Sequence, residues 1–290
     1  MNVIINKVPV LFLLLLYMSP VSAKDGMYGE AGLKVIYSKD EEVSQHYYKP
    51  FGRIGWSGDY IDISASYYRS IDYSITDADF NKREINIDQP GADITIYAGD
   101  IFNILCGYSF LSGDSSYTAH RYTGEVLLDF DSFDITVDSS LKNAEYEFNG
   151  KIKNSYITGG AEISIDVTES FSWDIGYLHE YTDYKTYGYI YSKNSMRIGI
   201  VAAPAKSFYF MSGITGGNDS DNIKSAAFDA GFSVKLPEHL KISAAYMCTA
   251  EFITSDSSSV TGGRRGGASS TSSIETDISH TGNISVSLYF

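Results

Sequence analysis

The sequence predicts an all-β chain: a single antiparallel transmembrane β-barrel of about fourteen strands, with twelve as the alternative count. Three observations carry this. Polar and apolar residues alternate with period two over segments of ten residues or more. Successive strand side chains point to opposite faces, so each segment has one greasy and one wet side. Aromatic residues make up 14% of the chain against only 20% charged residues. Turn-like connections alternate, short then long, along the whole length.

The chain opens with "MNVIINKVPVLFLLLLYMSPVSA". One positive charge, Lys7, precedes an apolar run from Val8 to Leu16, and Val21-Ser22-Ala23 closes it with a small-x-small pattern. That is the three-part build of a secretory signal peptide, and its apolar core is too short to span a bilayer. Residues 1–23 are therefore expected to be removed on export, leaving 24–290 as one domain. No later apolar run is long enough for a spanning helix.

The strands follow. In "DYIDISASYY", Ile61, Ile63, Ala65 and Tyr67 oppose Asp62, Ser64, Ser66 and Tyr68. Over 82–98 the apolar residues change phase: Ile85 and Ile87, then Ala92, Ile94 and Ile96. The slip falls at Gln89-Pro90-Gly91 and predicts a bulge or a small hairpin. "AEISIDV", "FSWDIGY" and "LKISAAYMC" alternate without interruption. The last stretch, "SHTGNISVSLYF", puts Ile284, Val286, Leu288 and Phe290 on one face.

Between strands lie six short connections (57–60, 98–101, 129–134, 167–172, 203–207 and 236–240) and seven longer polar ones (38–46, 71–82, 111–117, 147–151, 183–187, 216–222 and 255–273). A soluble β-sandwich would show the same alternation. Its strands, however, usually run about 5–6 residues, whereas a tilted strand needs about ten to cross a bilayer. Short turns at one rim and longer loops at the other form the membrane-barrel pattern. Trp56, Tyr67, Trp173, Tyr177, Phe208 and Phe252 fall near strand ends on the apolar face, as two interfacial girdles would require. The Ser/Gly-rich stretch 255–273, with Arg264 and Arg265, reads as a surface loop; folding inward as a gate is the alternative.

The same parity assigns charges to the interior. A Lys or Arg facing lipid at the midplane would cost about 2–4 kcal/mol. Lys34, Arg53, Asp62, Arg121, Glu125, Asp174, Arg197 and Asp229 are therefore expected to line a pore, in company with Lys49, Lys142 and Glu162. A water-filled channel and a closed barrel with paired interior charges both satisfy this. Strand number separates them, since about eight strands fill with side chains and about sixteen leave a channel.

Cys106 and Cys248 take lipid-facing parity on the fifth and thirteenth strands, too far round the ring to bridge. Of five histidines only His179, in "YLHEYTD", sits on a strand among acids, and its parity points outward. Neither a zinc spacing nor a calcium loop occurs, so no metal and no cofactor are expected. A formal net charge of −14 repels phosphates and argues against a nucleic-acid partner.

The terminal strand bearing Ile284, Val286, Leu288 and Phe290, taken with the signal peptide, resembles that of bacterial outer-membrane β-barrel proteins. In strand count the chain is similar to the monomeric fourteen-stranded porins of the OmpG type. The resemblance implies a Gram-negative outer membrane, contact with lipid and lipopolysaccharide, and recognition of those four residues by the barrel assembly machinery. The expected function is passive diffusion of ions and small hydrophilic solutes. The surplus of acid adds a mild cation preference. Two alternatives stand beside it. One is an adhesin or ligand-binding barrel working through its surface loops; the other is a barrel protease or lipase built around His179.

Overall fold

A computed structural model describes residues 26–39, 44–76, 82–114, 116–147, 151–236, 239–257 and 271–289. The expected signal peptide, Arg264, Arg265 and Phe290 lie outside the described residues. Fourteen strands follow in chain order: β1 (Met27–Lys39), β2 (Ser44–Ser57), β3 (Ile61–Thr76), β4 (Lys82–Ala98), β5 (Phe102–Gly113), β6 (Tyr117–Phe130) and β7 (Phe133–Glu147), then β8 (Lys151–Thr168), β9 (Phe171–Tyr184), β10 (Tyr189–Ala205), β11 (Phe208–Asp219), β12 (Lys224–Leu236), β13 (Leu240–Ser257) and β14 (Thr271–Tyr289). Each pairs with the next, and β14 pairs antiparallel with β1, from Glu30 opposite Tyr289 to Lys39 opposite His280, closing the barrel. With strands about 4.8 Å apart and tilted about 40°, fourteen close a ring roughly 28 Å across between backbones.

Six connections, at 58–60, 99–101, 131–132, 169–170, 206–207 and 237–239, share one rim with Met27 and Tyr289. Seven lie at the other rim, the longest at 258–270. Much of the polar sequence expected between strands there, such as 44–46 and 71–76, is itself strand. Hydrogen-bonded pairing does not stop where the apolar belt stops; it carries on upward. The β13–β14 hairpin carries this furthest, since β12 pairs no higher than Phe252 and β1 no higher than His280.

The outer face is the greasy one. Ile63, Ile94, Ile175, Ile198, Ile214, Phe228 and Ile284 are all exposed, Ile214 by 66%. A belt of this extent facing water would be an aggregation surface; facing hydrocarbon it is favourable, and closure leaves no strand edge unpaired. Trp56, Tyr67, Trp173, Tyr177, Phe208 and Phe252 are exposed on this outer face, as the girdle reading requires. Toward the long-loop rim the aromatic tips are satisfied in pairs. The Tyr108 hydroxyl lies 2.9 Å from His120 Nδ1, and that of Tyr246 lies 2.7 Å from His280 Nδ1. Cys106 and Cys248 are free thiols on this face.

Strand β4 departs from expectation. No slip occurs at Gln89-Pro90-Gly91: β3 pairs with all three residues in unbroken register. The ladder to β5 lapses only at Gln89 and Pro90 and resumes in the same register. Proline has no N–H to donate, which accounts for a local lapse without a bulge. The register shift sits instead in β3, between Ser70 and Tyr73, where Asp72 adopts a φ of 60°; Asp tolerates this left-handed conformation better than most residues. With β4 alternating strictly, Ile85 and Ile87 fall on the inner face. There they form a buried cluster with Leu111, Tyr117, Ala119 and Ala144, covered by Tyr73, Tyr146 and Tyr156. Ile85 is 1% exposed. One sector of the lumen, along β3 to β8 near the long-loop rim, is thus filled and dry.

Candidate functional site: the barrel interior

Contacts that skip strands identify the inner face. Lys193 Nζ on β10 lies 3.7 Å from Glu251 Oε1 on β13, and Arg197 on β10 reaches Asp229 on β12. All eight residues expected to line a pore carry the parity of these inner groups. They do not converge on one centre; they divide into three groups at different places on the wall.

The first group centres on Arg197. Its Nε donates to Asp229 Oδ1 at 3.0 Å and its Nη2 to Oδ2 at 2.9 Å, a two-pronged pairing. Its Nη1 lies 3.8 Å from Asp174 Oδ2, and Asp174 accepts from Ser164 Oγ at 2.8 Å. Two glycines make room for the guanidinium. A Cβ at Gly199 or Gly213 would stand 2.6 Å from an Arg197 nitrogen. Asp138, Glu162 and Arg197 share the wall of a cavity of about 250 Å³ with Ser195 and Thr215. This wall is acidic, with one arginine pinned across it.

The second group lies near the short-turn rim. Arg53 Nε donates to Ser64 Oγ at 3.0 Å and its Nη2 lies 3.9 Å from Asp93, while its guanidinium sits over the Tyr28 ring. Asp62 accepts from the Tyr97 hydroxyl at 2.7 Å. Asp129 stands opposite Asp134, and Glu125 opposite Asp138. With Asp62 and Asp166, the first pair puts four acids on the β3–β8 arc of this mouth, while Lys235 stands opposite Lys241 on its β12–β13 arc.

The third group is basic. Lys34 stands directly opposite Lys49, and Arg121 directly opposite Lys142. Lys49 Nζ lies 4.8 Å from the centre of the Tyr68 ring and Lys142 Nζ 4.7 Å from that of Tyr156.

Sequence reasoning missed the apolar sector above this basic group. A signal was available: strict alternation back from Ile96, Ile94 and Ala92 puts Ile85 and Ile87 on the opposite face. His179 is not joined to its acidic neighbours. Its Nδ1 lies 2.8 Å from Asn194 Oδ1, which also accepts from the outward-facing Tyr177 hydroxyl at 2.7 Å. Glu180, one residue on, has the opposite parity. Among the described residues no group of potential metal ligands gathers.

No protein-family model matches the chain, and no curated protein matches it in sequence. Solved structures do match in shape. The monoaromatic hydrocarbon channel CymD aligns with a TM-score of 0.56 at 10% identity, over 92% of this chain and 89% of its own. The P. putida toluene transporter TodX aligns with a TM-score of 0.54 at 8% identity, over 92% and 91%. OmpT, an outer membrane protein of Vibrio cholerae, aligns with a TM-score of 0.52 at 8% identity, over 94% and 100%. The fold is that of outer-membrane β-barrel proteins.

Proposed function

We propose that this barrel is an outer-membrane channel through which ions and small hydrophilic solutes diffuse passively, with a mild preference for cations. The observation that carries the reading is the charged inner face of a fourteen-strand ring: Arg53, Asp62, Glu125, Asp174, Arg197 and Asp229 all point into the lumen. Among the described residues, buried apolar side chains close one sector of the lumen, at the β3–β8 wall. Acids line the β3–β8 arc of the short-turn mouth, outnumber Lys235 and Lys241 on its β12–β13 arc, and dominate the wall around Arg197, which favours cations by field rather than by a coordination site. Passage through a barrel of this build is supported by the likeness to a protein described as a hydrocarbon channel and another described as a toluene transporter. The charged wall favours hydrophilic solutes over hydrocarbons here.

In this reading the chain is exported, its short turns face the periplasm, and lipid and lipopolysaccharide cover the apolar belt. Ile284, Val286 and Leu288, all outward on β14, form the assembly signal with Phe290. His179, turned outward and away from Glu180, supports a non-enzymatic role. The projecting β13–β14 hairpin favours one second reading, a surface ligand-binding role for the loop rim.

Planar-bilayer recording of the purified protein tests the channel. Stepwise conductance with a reversal potential favouring cations is expected. Absence of current above background overturns the channel, and a reversal potential favouring anions overturns the cation preference.

A further inference from the structure

We propose that Lys34, Lys49, Arg121 and Lys142 form a binding subsite for a multivalent oxyanion, of the phosphate or polycarboxylate kind, in the long-loop half of the lumen. Two like-charged pairs stand directly opposite each other across neighbouring strands, Lys34 with Lys49 and Arg121 with Lys142. Such pairs destabilise a sheet unless something neutralises them. The two pairs are drawn to one part of the lumen by the side chains above them: Tyr47, one inward position above Lys49, packs on Tyr73, which covers the cluster holding Ala119 and Ala144.

Among the described residues no carboxylate lies within 4.0 Å of any of the four, whereas the inward Arg53, Lys193 and Arg197 each have at least one. This occurs in a chain with a formal net charge of −14, where acids are plentiful. The inward pair Lys235 and Lys241 also lacks one, but it lies at the short-turn rim, away from the apolar cluster. Tyr68 and Tyr156 hold the Lys49 and Lys142 ammonium groups over their rings. That fixes the side chains while leaving their charge uncancelled.

The surroundings strengthen an ionic contact. Lys142 is one inward position below Ala144, and Arg121 one below Ala119; both alanines belong to the buried apolar cluster. The dry cluster covers the basic group on its long-loop side, and ionic interactions grow as water is excluded. Arg121 itself is exposed to the lumen, so a solute can reach it. Its planar fork can take two oxygens of one anion while the lysines supply point charges around it. A monovalent halide would leave most of this charge unmatched.

The inference rests on the channel reading only in needing a water-filled lumen, and its test does not use current. Isothermal titration of the detergent-folded barrel with sodium phosphate, at ionic strength held constant with chloride, is expected to show saturable binding. The double variant Lys49→Met/Lys142→Met should weaken it by about tenfold or more, and Lys206→Met, in an exposed short turn at the opposite rim, should leave it unchanged. Retained heat-modifiable mobility on gels establishes that each variant is folded. If the lysine pair does not fold, Lys34→Met/Arg121→Met takes its place. No binding to the wild type, or equal binding to the folded variant, overturns the subsite. Binding without any bilayer conductance upholds the subsite and sinks the channel; conductance without binding does the reverse.

Discussion

Arg197 is the residue whose surroundings are most fully specified. Two carboxylates hold it, and two glycines admit it. Arg197→Met would leave Asp174 and Asp229 without their cation, so the potassium-to-chloride permeability ratio should rise several-fold. Arg197→Lys keeps the charge and loses the two-pronged geometry, so its ratio should stay near that of the wild type. Gly213→Ala should move the ratio in the same direction as Arg197→Met, by less, because its Cβ would stand 2.6 Å from an Arg197 nitrogen and push the guanidinium off its seat. An unchanged ratio in Arg197→Met, measured from reversal potentials in a salt gradient, would mean that permeating ions do not pass this wall.

Strand β4 holds two kinds of isoleucine. Ile85 is buried inside the lumen, and Ile94 is 42% exposed on the outer face. Truncating a buried Ile to Ala typically costs about 2–5 kcal/mol. Ile85→Ala should therefore lower the denaturant midpoint of the barrel clearly, and Ile94→Ala much less, since lipid follows the smaller side chain. Ile94→Arg should cost about 2–4 kcal/mol if it sits near mid-bilayer. Equal effects of Ile85→Ala and Ile94→Ala on urea unfolding in lipid would contradict the assignment of faces. The same strand shows what could be read from the chain. Alternation makes Ile61, Ile94, Ile163, Ile175 and Ile284 legible as strand residues on one face, and their charged neighbours as the other. It reports polarity, though, and polarity stands for outside only where lipid is the outside. Ile85 and Ile87 are apolar because the lumen beside them is filled, so a polarity rule assigns them to the wrong face and invents a slip to reconcile them. Pro90 is compatible with such a slip, yet a missing N–H needs only a lapse in one ladder. The interior groupings were less legible still. Parity brings Lys34, Lys49, Arg121 and Lys142 to one face, but only the register between β1 and β2, and between β6 and β7, sets them side by side.

At the scale of the whole molecule, the ring closes with every strand paired and the greasy face outward. Closure turns one alternating pattern into a wall with two solvents. It also gives the wall an axis along which charge is unevenly spread. Asp62, Asp129, Asp134 and Asp166 line one arc of one mouth and outnumber Lys235 and Lys241 on another; Lys34, Lys49, Arg121 and Lys142 sit toward the other mouth. An ion driven in one direction meets the acids first, and driven the other way it meets the bases first. A conductor built like that behaves as a rectifier. In symmetric salt its current–voltage curve should bend, with larger current at one polarity than at the other, and neutralising the four bases should straighten it. A straight curve in the unaltered protein would mean that the two mouths are electrically equivalent to a passing ion.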